Sequence, residues 1–173
     1  MIIPFVVAAF VIVIDQISKY IVKTTMELYD SFQLIPNILN IHYIENEGAS
    51  FGIMKEQRWL FMSLSLAALV FMGAAIFYFG RKQIRKNNLF LNAALSCMFG
   101  GGFGNMIDRF LNNSVNPAYA EKGSKVVVDF LEFAFVDFAI FNLADTFICI
   151  GSALFCICIF SGKYKLSLSN KEE

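Results

Sequence analysis

Four stretches of the chain, residues 2–22, 59–79, 89–109 and 141–160, are almost wholly apolar. Each has the length, about 20 residues, that a helix needs to cross a hydrocarbon core of roughly 30 Å. A helix satisfies its own backbone polar groups, so runs of this kind are read as membrane spans. Little chain is left for a separate soluble domain: residues 23–58, 80–88 and 110–140, and a short tail from Ser161. Composition agrees. Of 173 residues, 57% are hydrophobic and 16% charged, against about 25% charged in an ordinary soluble domain. That balance excludes a disordered chain, a disulfide-stapled secreted domain and an ordinary cytosolic enzyme. A formal net charge of zero argues against a nucleic-acid partner. The expected fold is an α-helical integral membrane protein, residues 1–173 forming one membrane-embedded domain with four transmembrane helices.

Lysine and arginine bias sets orientation. Residues 80–88 hold Arg81, Lys82, Arg85 and Lys86 without any acid, and the tail adds Lys163, Lys165 and Lys171. The other two intervals mix Lys55, Arg58, Lys122 and Lys125 with carboxylates. Both termini are therefore expected in the cytoplasm, with loops 23–58 and 110–140 outside. The first stretch lacks a basic n-region, exceeds a normal h-region and carries Asp15 and Lys19, so it is expected to be retained rather than cleaved. Residues 32–43, broken by Pro36 and Asn37, and residues 125–130 are rich in branched and aromatic side chains. They predict a small extracytoplasmic β-element. Residues 53–61, ending near Trp59, are expected to lie along the interface.

Charge inside a span costs about 2.5–3.5 kcal/mol per residue on insertion scales, so each such residue needs a reason. Asp15 and Lys19 are spaced i,i+4 and can pair on one helix face; they are expected to orient the first helix. Asn105 and Asp108 stand i,i+3 after the run Gly100-Gly101-Gly102-Phe103-Gly104, and Asn142 and Asp145 repeat the spacing in the fourth stretch. On this reading Asp145 lies one turn inside its helix. Asp129 closes the second strand-like run. Carboxylates and amides thus gather at the outer edge of the bundle.

The single histidine, His42, is assigned to an outward loop. That removes histidine-rich metal sites and most serine–histidine or cysteine–histidine triads. Cys97, Cys149, Cys156 and Cys158 all fall within spans and are expected as free thiols. Carboxylates remain for proton chemistry. Two held close cannot both ionise cheaply and share a proton, the logic for which pepsin is the standard worked example. A proton or cation pathway uses the same residue types, and a structural membrane subunit could bury them only to join helices. Spacing alone leaves these readings open, and favours Asp108 with Asp145 as the interacting pair.

Five ordered blocks decide among them. They are Asp15-Gln16-Ile17-Ser18-Lys19, Asn46-Glu47-Gly48-Ala49-Ser50-Phe51-Gly52, Gly104-Asn105-Met106-Ile107-Asp108-Arg109, Val127-Val128-Asp129-Phe130 and Phe141-Asn142-Leu143-Ala144-Asp145. Together they resemble the lipoprotein signal peptidase family, the type II signal peptidases of bacteria. The resemblance implies an aspartic endopeptidase that removes the signal peptide of a diacylglyceryl-modified prolipoprotein, cutting on the N-terminal side of the lipidated cysteine. It implies Asp129 and Asp145 as the catalytic dyad, with Asn105, Asp108, Arg109 and Asn142 supporting it. Asn46 and Gly48 would border the substrate cleft, and Asp15 and Lys19 would be structural. It also implies no metal and no cofactor, a surface sheet that cradles substrate, and a multi-pass protein of the cytoplasmic membrane with its site at the outer face. The expected partners are the prolipoprotein and membrane lipids; no nucleic acid is expected, and the protein is expected to be a monomer. One departure stands out. Residues 110–128 separate Arg109 from Asp129, where the family has a short connection. A polar insertion in a surface loop is thermodynamically tolerable.

Overall fold

Each apolar stretch becomes helix because its backbone hydrogen bonds are then made internally and its side chains are left to pack or to face an apolar solvent. The computed structural model of the chain describes residues 2–47, 58–81, 89–121 and 123–161. The chain order is α1 (Ile2–Thr25), β1 (Ser31–Ile35), β2 (Leu39–Asn46), α2 (Arg58–Arg81), α3 (Leu89–Leu111), α4 (Pro117–Ala120), β3 (Val127–Phe133) and α5 (Leu143–Phe160). The expected helices and small β-element are observed, the latter as a three-stranded antiparallel sheet. Among the described residues two helices, Ile2–Thr25 and Leu143–Phe160, are long and apolar enough to cross a membrane by length and composition. Gly48, most of the interfacial stretch 53–61, the basic residues 82–86 and the lysines of the tail lie outside the described residues.

Helix α3 is the centre of the bundle and packs against α1, α2 and α5. Small residues let helix backbones approach closely where no water drives them together. The closest approach is at Gly101, where a Cβ would stand 2.3 Å from the carbonyl oxygen of Ala144 in α5. At Gly104 a Cβ would stand 2.5 Å from Oδ2 of Asp15 in α1. These contacts are too short for any side chain, so the glycines bring α1 and α5 against α3 where the polar residues lie. The bundle is inverted relative to a soluble protein. Asp15 and Lys19 are 0% and 3% exposed, whereas Phe71 and Phe160 are 76% and 86% exposed.

The sheet is antiparallel with order β1-β2-β3. The strand-like run 32–43 divides at Pro36 and Asn37, and Asn37 takes a left-handed φ of 59°, which asparagine tolerates in a turn. His42 therefore lies within β2, not in a loop, because that run continues as strand beyond the break. Its Nδ1 is 3.2 Å from Oε1 of Glu132 across the sheet. Cross-strand partners include Ile41 with Leu131 and Ile44 with Asp129, with an irregularity between them.

The start of α5 also differs from the sequence reading. Phe141 exchanges backbone bonds with Leu131, its N–H donating at 3.0 Å and its carbonyl accepting at 2.7 Å. The chain is still extended there, so the helix begins at Leu143. Asp145 consequently sits in the first turn rather than a turn inside. The same bridge ties the segment entering α5 to β3.

Candidate active site

Asn142 is the N-cap of α5, with extended backbone (φ −130°) and a fully buried side chain. Its Oδ1 accepts the Asp145 N–H at 3.0 Å, and Asp145 Oδ2 accepts the Asn142 N–H at 3.2 Å. This reciprocal capping box satisfies two donors that a helix start leaves free. It also fixes the Asp145 carboxylate at the positive end of the helix dipole. The i,i+3 spacing of Asn142 and Asp145 is therefore a cap, whereas Asn105 and Asp108 share a helix face in α3.

The Asn142 amide then turns toward the sheet. Its Nδ2 donates to Asp129 Oδ1 at 2.6 Å and to Asn105 Oδ1 at 3.0 Å. Asp129, on β3, is 3% exposed and accepts a second bond at Oδ2 from Asn46 Nδ2 at 3.0 Å. Asn105 Nδ2 donates to Asp145 Oδ1 at 2.7 Å. Asp129 and Asp145 come from different elements and are joined through these two buried amides. Burial first, and the charge of Asp145 second, push the Asp129 carboxyl up to about 7, against the hydrogen bonds from Asn46 and Asn142.

Behind the amides lies a charged layer. Lys19 Nζ donates to Asp15 Oδ2 at 2.9 Å and to Asn105 Oδ1 at 2.8 Å. It also lies 2.9 Å from Asp108 Oδ2, an ion pair without hydrogen-bond geometry. Because Lys19 and Asn142 both donate to Asn105 Oδ1, the Asn105 amide has one orientation left, with Nδ2 toward Asp145. Asp15 Oδ1 accepts the Ala144 N–H at 2.9 Å, which links α1 to the first turn of α5. Gln16 Nε2 bridges Asp15 Oδ2, Asp108 Oδ1 and the Gly104 carbonyl at 3.1–3.2 Å. Arg109 Nη1 donates to the Asn105 carbonyl at 3.1 Å.

Asp108 thus faces α1 and pairs with Lys19, which corrects the spacing-based pairing of Asp108 with Asp145. Gln16 received no role in the sequence reading, although it stands beside Asp15; only the approach of α3 reveals what it bonds. A cavity of about 250 Å³ opens between α1 and α3, lined by Gln16, Lys19, Tyr20, Lys23, Ile107, Asp108, Leu111 and Asn112. Among the described residues no group of three or more histidine, cysteine, aspartate or glutamate side chains is arranged to hold a metal ion. The cysteines are free, Cys156 exposed and Cys158 buried, as i,i+2 spacing on a helix requires. Removing the cation from the charged layer should be costly, since breaking a buried ion pair costs about 3–5 kcal/mol. Lys19→Met is expected to lower the denaturation midpoint in detergent accordingly; an unchanged midpoint would mean the two aspartates do not depend on it.

The chain as a whole has counterparts among known proteins. A family model for signal peptidase (SPase) II matches residues 7–161. The chain belongs to the signal peptidase II family. Lipoprotein signal peptidases of Staphylococcus aureus strains JH9 and Newman are each 37% identical over 170 residues, covering 96% of this chain and 90% of theirs. A bacterial membrane enzyme solved by the in meso method at 2.3 Å superposes with a TM-score of 0.73 at 34% identity, covering 98% of this chain and 94% of that one. A second, solved at 1.9 Å, gives 0.68 at 37% identity, covering 90% and 91%. In this member of the signal peptidase II family, Asp129 and Asp145 with the Asn105 and Asn142 amides form the candidate site, Asp129 buried and Asp145 partly exposed.

Proposed function

We propose that this protein is a membrane aspartic endopeptidase that removes the signal peptide from diacylglyceryl-modified prolipoproteins, on the N-terminal side of the lipidated cysteine. Asp129 and Asp145 are its dyad. The observation that carries the reading is the Asn142 amide, which caps the helix of Asp145 and donates to Asp129 at once. The chain crosses the membrane four times with both termini in the cytoplasm, as the acid-free basic run at residues 81–86 favours. The sheet and the dyad then lie at the outer face.

The geometry supports the following division of roles. Asp129, with its raised pKa, holds the shared proton near neutral pH. Asp145, at a helix N-terminus with donors on both oxygens, acts as the base. Asp145 takes a proton from a water held between the two as that water attacks the scissile carbonyl. Asp129 gives its proton to the developing oxyanion; as the C–N bond breaks, the proton taken by Asp145 passes to the leaving amine and a proton of the collapsing diol returns to Asp129. Asn105 and Asn142 hold the carboxyls in place through both steps. The acyl chains of the substrate remain in the outer leaflet. Exposed apolar residues on and beside the sheet, Phe32, Leu34, Ile38, Phe135 and Phe138, offer a surface of the right chemistry for them.

Purified protein incubated with a diacylglyceryl-modified prolipoprotein should shorten it by the signal peptide on a gel, equally with and without chelator. No cleavage by folded protein would reject the assignment. Cleavage abolished by chelator, and restored by a metal ion, would reject the two-aspartate mechanism.

A further inference from the structure

Immediately before Asn46 in β2 stands Glu45, a buried carboxylate with no place in the network above. Its oxygens collect donors from the segment that follows α3. The Ser114 hydroxyl donates to Oε2. The Val115 N–H donates to both oxygens at 3.0 and 3.1 Å, and the Asn116 N–H to Oε2 at 3.3 Å. From its own strand, the Tyr43 hydroxyl donates to Oε1 at 3.2 Å. Burial, then the Glu45 charge, push the Tyr43 hydroxyl pKa up, so that group stays a donor. Two successive N–H groups and a hydroxyl converging on one carboxylate form an anion-binding nest. A buried carboxylate would otherwise be expensive.

The nest is itself anchored. Lys23 of α1 donates to Asn112 Oδ1 and to the Asn113 carbonyl. Asn116 Nδ2 donates to the Tyr29 hydroxyl at 2.9 Å. The Val126 N–H donates to the Asn112 carbonyl at 3.0 Å, closing the segment at its base beside β3. The segment that lengthens the connection between Arg109 and Asp129 is therefore fixed to α1 and β3, and Glu45 fixes β2 to it. Asn46 is the last residue of β2, where a strand would otherwise fray, and its amide must point at Asp129.

We propose that Glu45 is a positioning residue: bound by residues 114–116, it clamps the end of β2 so that the Asn46 amide is aimed at Asp129. The proposal rests on Asp129 being a catalytic carboxyl. It has a consequence that ordinary structural support lacks. A hydrogen bond from Asn46 favours the charged form of Asp129, opposing the burial and the Asp145 charge that raise its pKa; Lys19 from α1 and Asn142 from the α5 cap act in the same direction as Asn46. Loosening Asn46 should move the pH at which the dyad loses its shared proton upward, by roughly half a unit.

The test is the pH dependence of kcat/KM for cleavage of a diacylglyceryl-modified prolipoprotein. Glu45→Gln turns an amide NH2 toward the donors of the nest, and Ser114→Ala removes one donor from the opposite side. Both are expected to shift the alkaline limb upward, as Asn46→Val does. The double variant Glu45→Gln with Asn46→Val is expected to shift it no further than Asn46→Val alone, since coupled sites are not additive. If Glu45→Gln does not fold, Ser114→Ala decides. A lowered unfolding midpoint with an unmoved alkaline limb would overturn the clamp, as would additive shifts. Asp129→Asn separates the two readings. Full activity there would overturn the dyad and the clamp with it, whereas an inactive Asp129→Asn with unmoved Glu45→Gln and Ser114→Ala profiles would overturn the clamp alone.

Discussion

Asp129→Asn and Asp145→Asn are each expected to reduce prolipoprotein cleavage by about four orders of magnitude or more, the scale seen when one member of a cooperating catalytic set is removed. Asparagine keeps the shape and one acceptor oxygen, so Asp129→Asn can still receive the Asn142 amide, and the fold should persist in detergent. Asp108→Asn is the control. Its carboxylate faces Lys19 and Gln16, so the variant should be less stable but retain far more activity than either dyad variant. An inactive Asp108→Asn beside an active Asp129→Asn would replace Asp129 in the dyad. On the proposed mechanism the dyad works with one proton, and Asp129 is raised to about 7 by burial and by Asp145. Cleavage should therefore decline as pH rises through about 7. Stability follows the same sign. Asp129 binds its proton more tightly folded than unfolded, where its pKa returns to 3.8. Its contribution to stability is full below that value and is lost as pH rises toward 7. Asp129→Asn should flatten the stability profile across that window, read as the unfolding midpoint at several pH values.

What could be read from the sequence, and what could not, divides along the range of the interactions. Helix positions follow from apolar runs, and the sheet from β-branched and aromatic runs broken at Pro36 and Asn37; these are local signals. The cluster at Asn105 and Asp108 was also legible, because polar residues at i,i+3 in an apolar helix must meet something. The meaning of the same spacing at Asn142 and Asp145 was not. Whether it is a face or a cap depends on where the helix begins, and that is decided by the pairing of Phe141 with Leu131 in a strand earlier in the chain. Asp129 had no local mark beyond its place in a strand-like run, and only the family resemblance raised it above Asp108. Lys19 was expected as a partner for Asp15. Its contacts with Asn105 and Asp108 arise because Gly100 and Gly104 let α1 press against α3. Glu45 gave no signal, since its nest is supplied by residues 114–116, far along the chain.

Asn142→Asp is expected to lower kcat and kcat/KM together by two to three orders of magnitude, while leaving the start of α5 intact. The two halves of that outcome come from the two ends of one side chain. Aspartate is as good an N-cap as asparagine, so an oxygen still accepts the Asp145 N–H, now 3.0 Å away. The other end changes from donor to acceptor. Asp129 Oδ1 and Asn105 Oδ1 both lose the amide that reaches them at 2.6 and 3.0 Å, and a third carboxylate arrives beside the dyad. Removing one preorganised donor from a catalytic centre typically costs about 10²–10³ in kcat, and the added like charge makes retention of the working protonation state harder. Asn142→Ala separates the functions in the other direction. It loses the cap, worth about 1 kcal/mol, and the same donors, but adds no charge. Its unfolding midpoint should fall by the loss of the cap, while its activity should fall less than that of Asn142→Asp. If instead Asn142→Asp cleaves at the wild-type rate, the amide is a helix cap alone, and the coupling of α5 to β3 through Asn142 has no part in the chemistry.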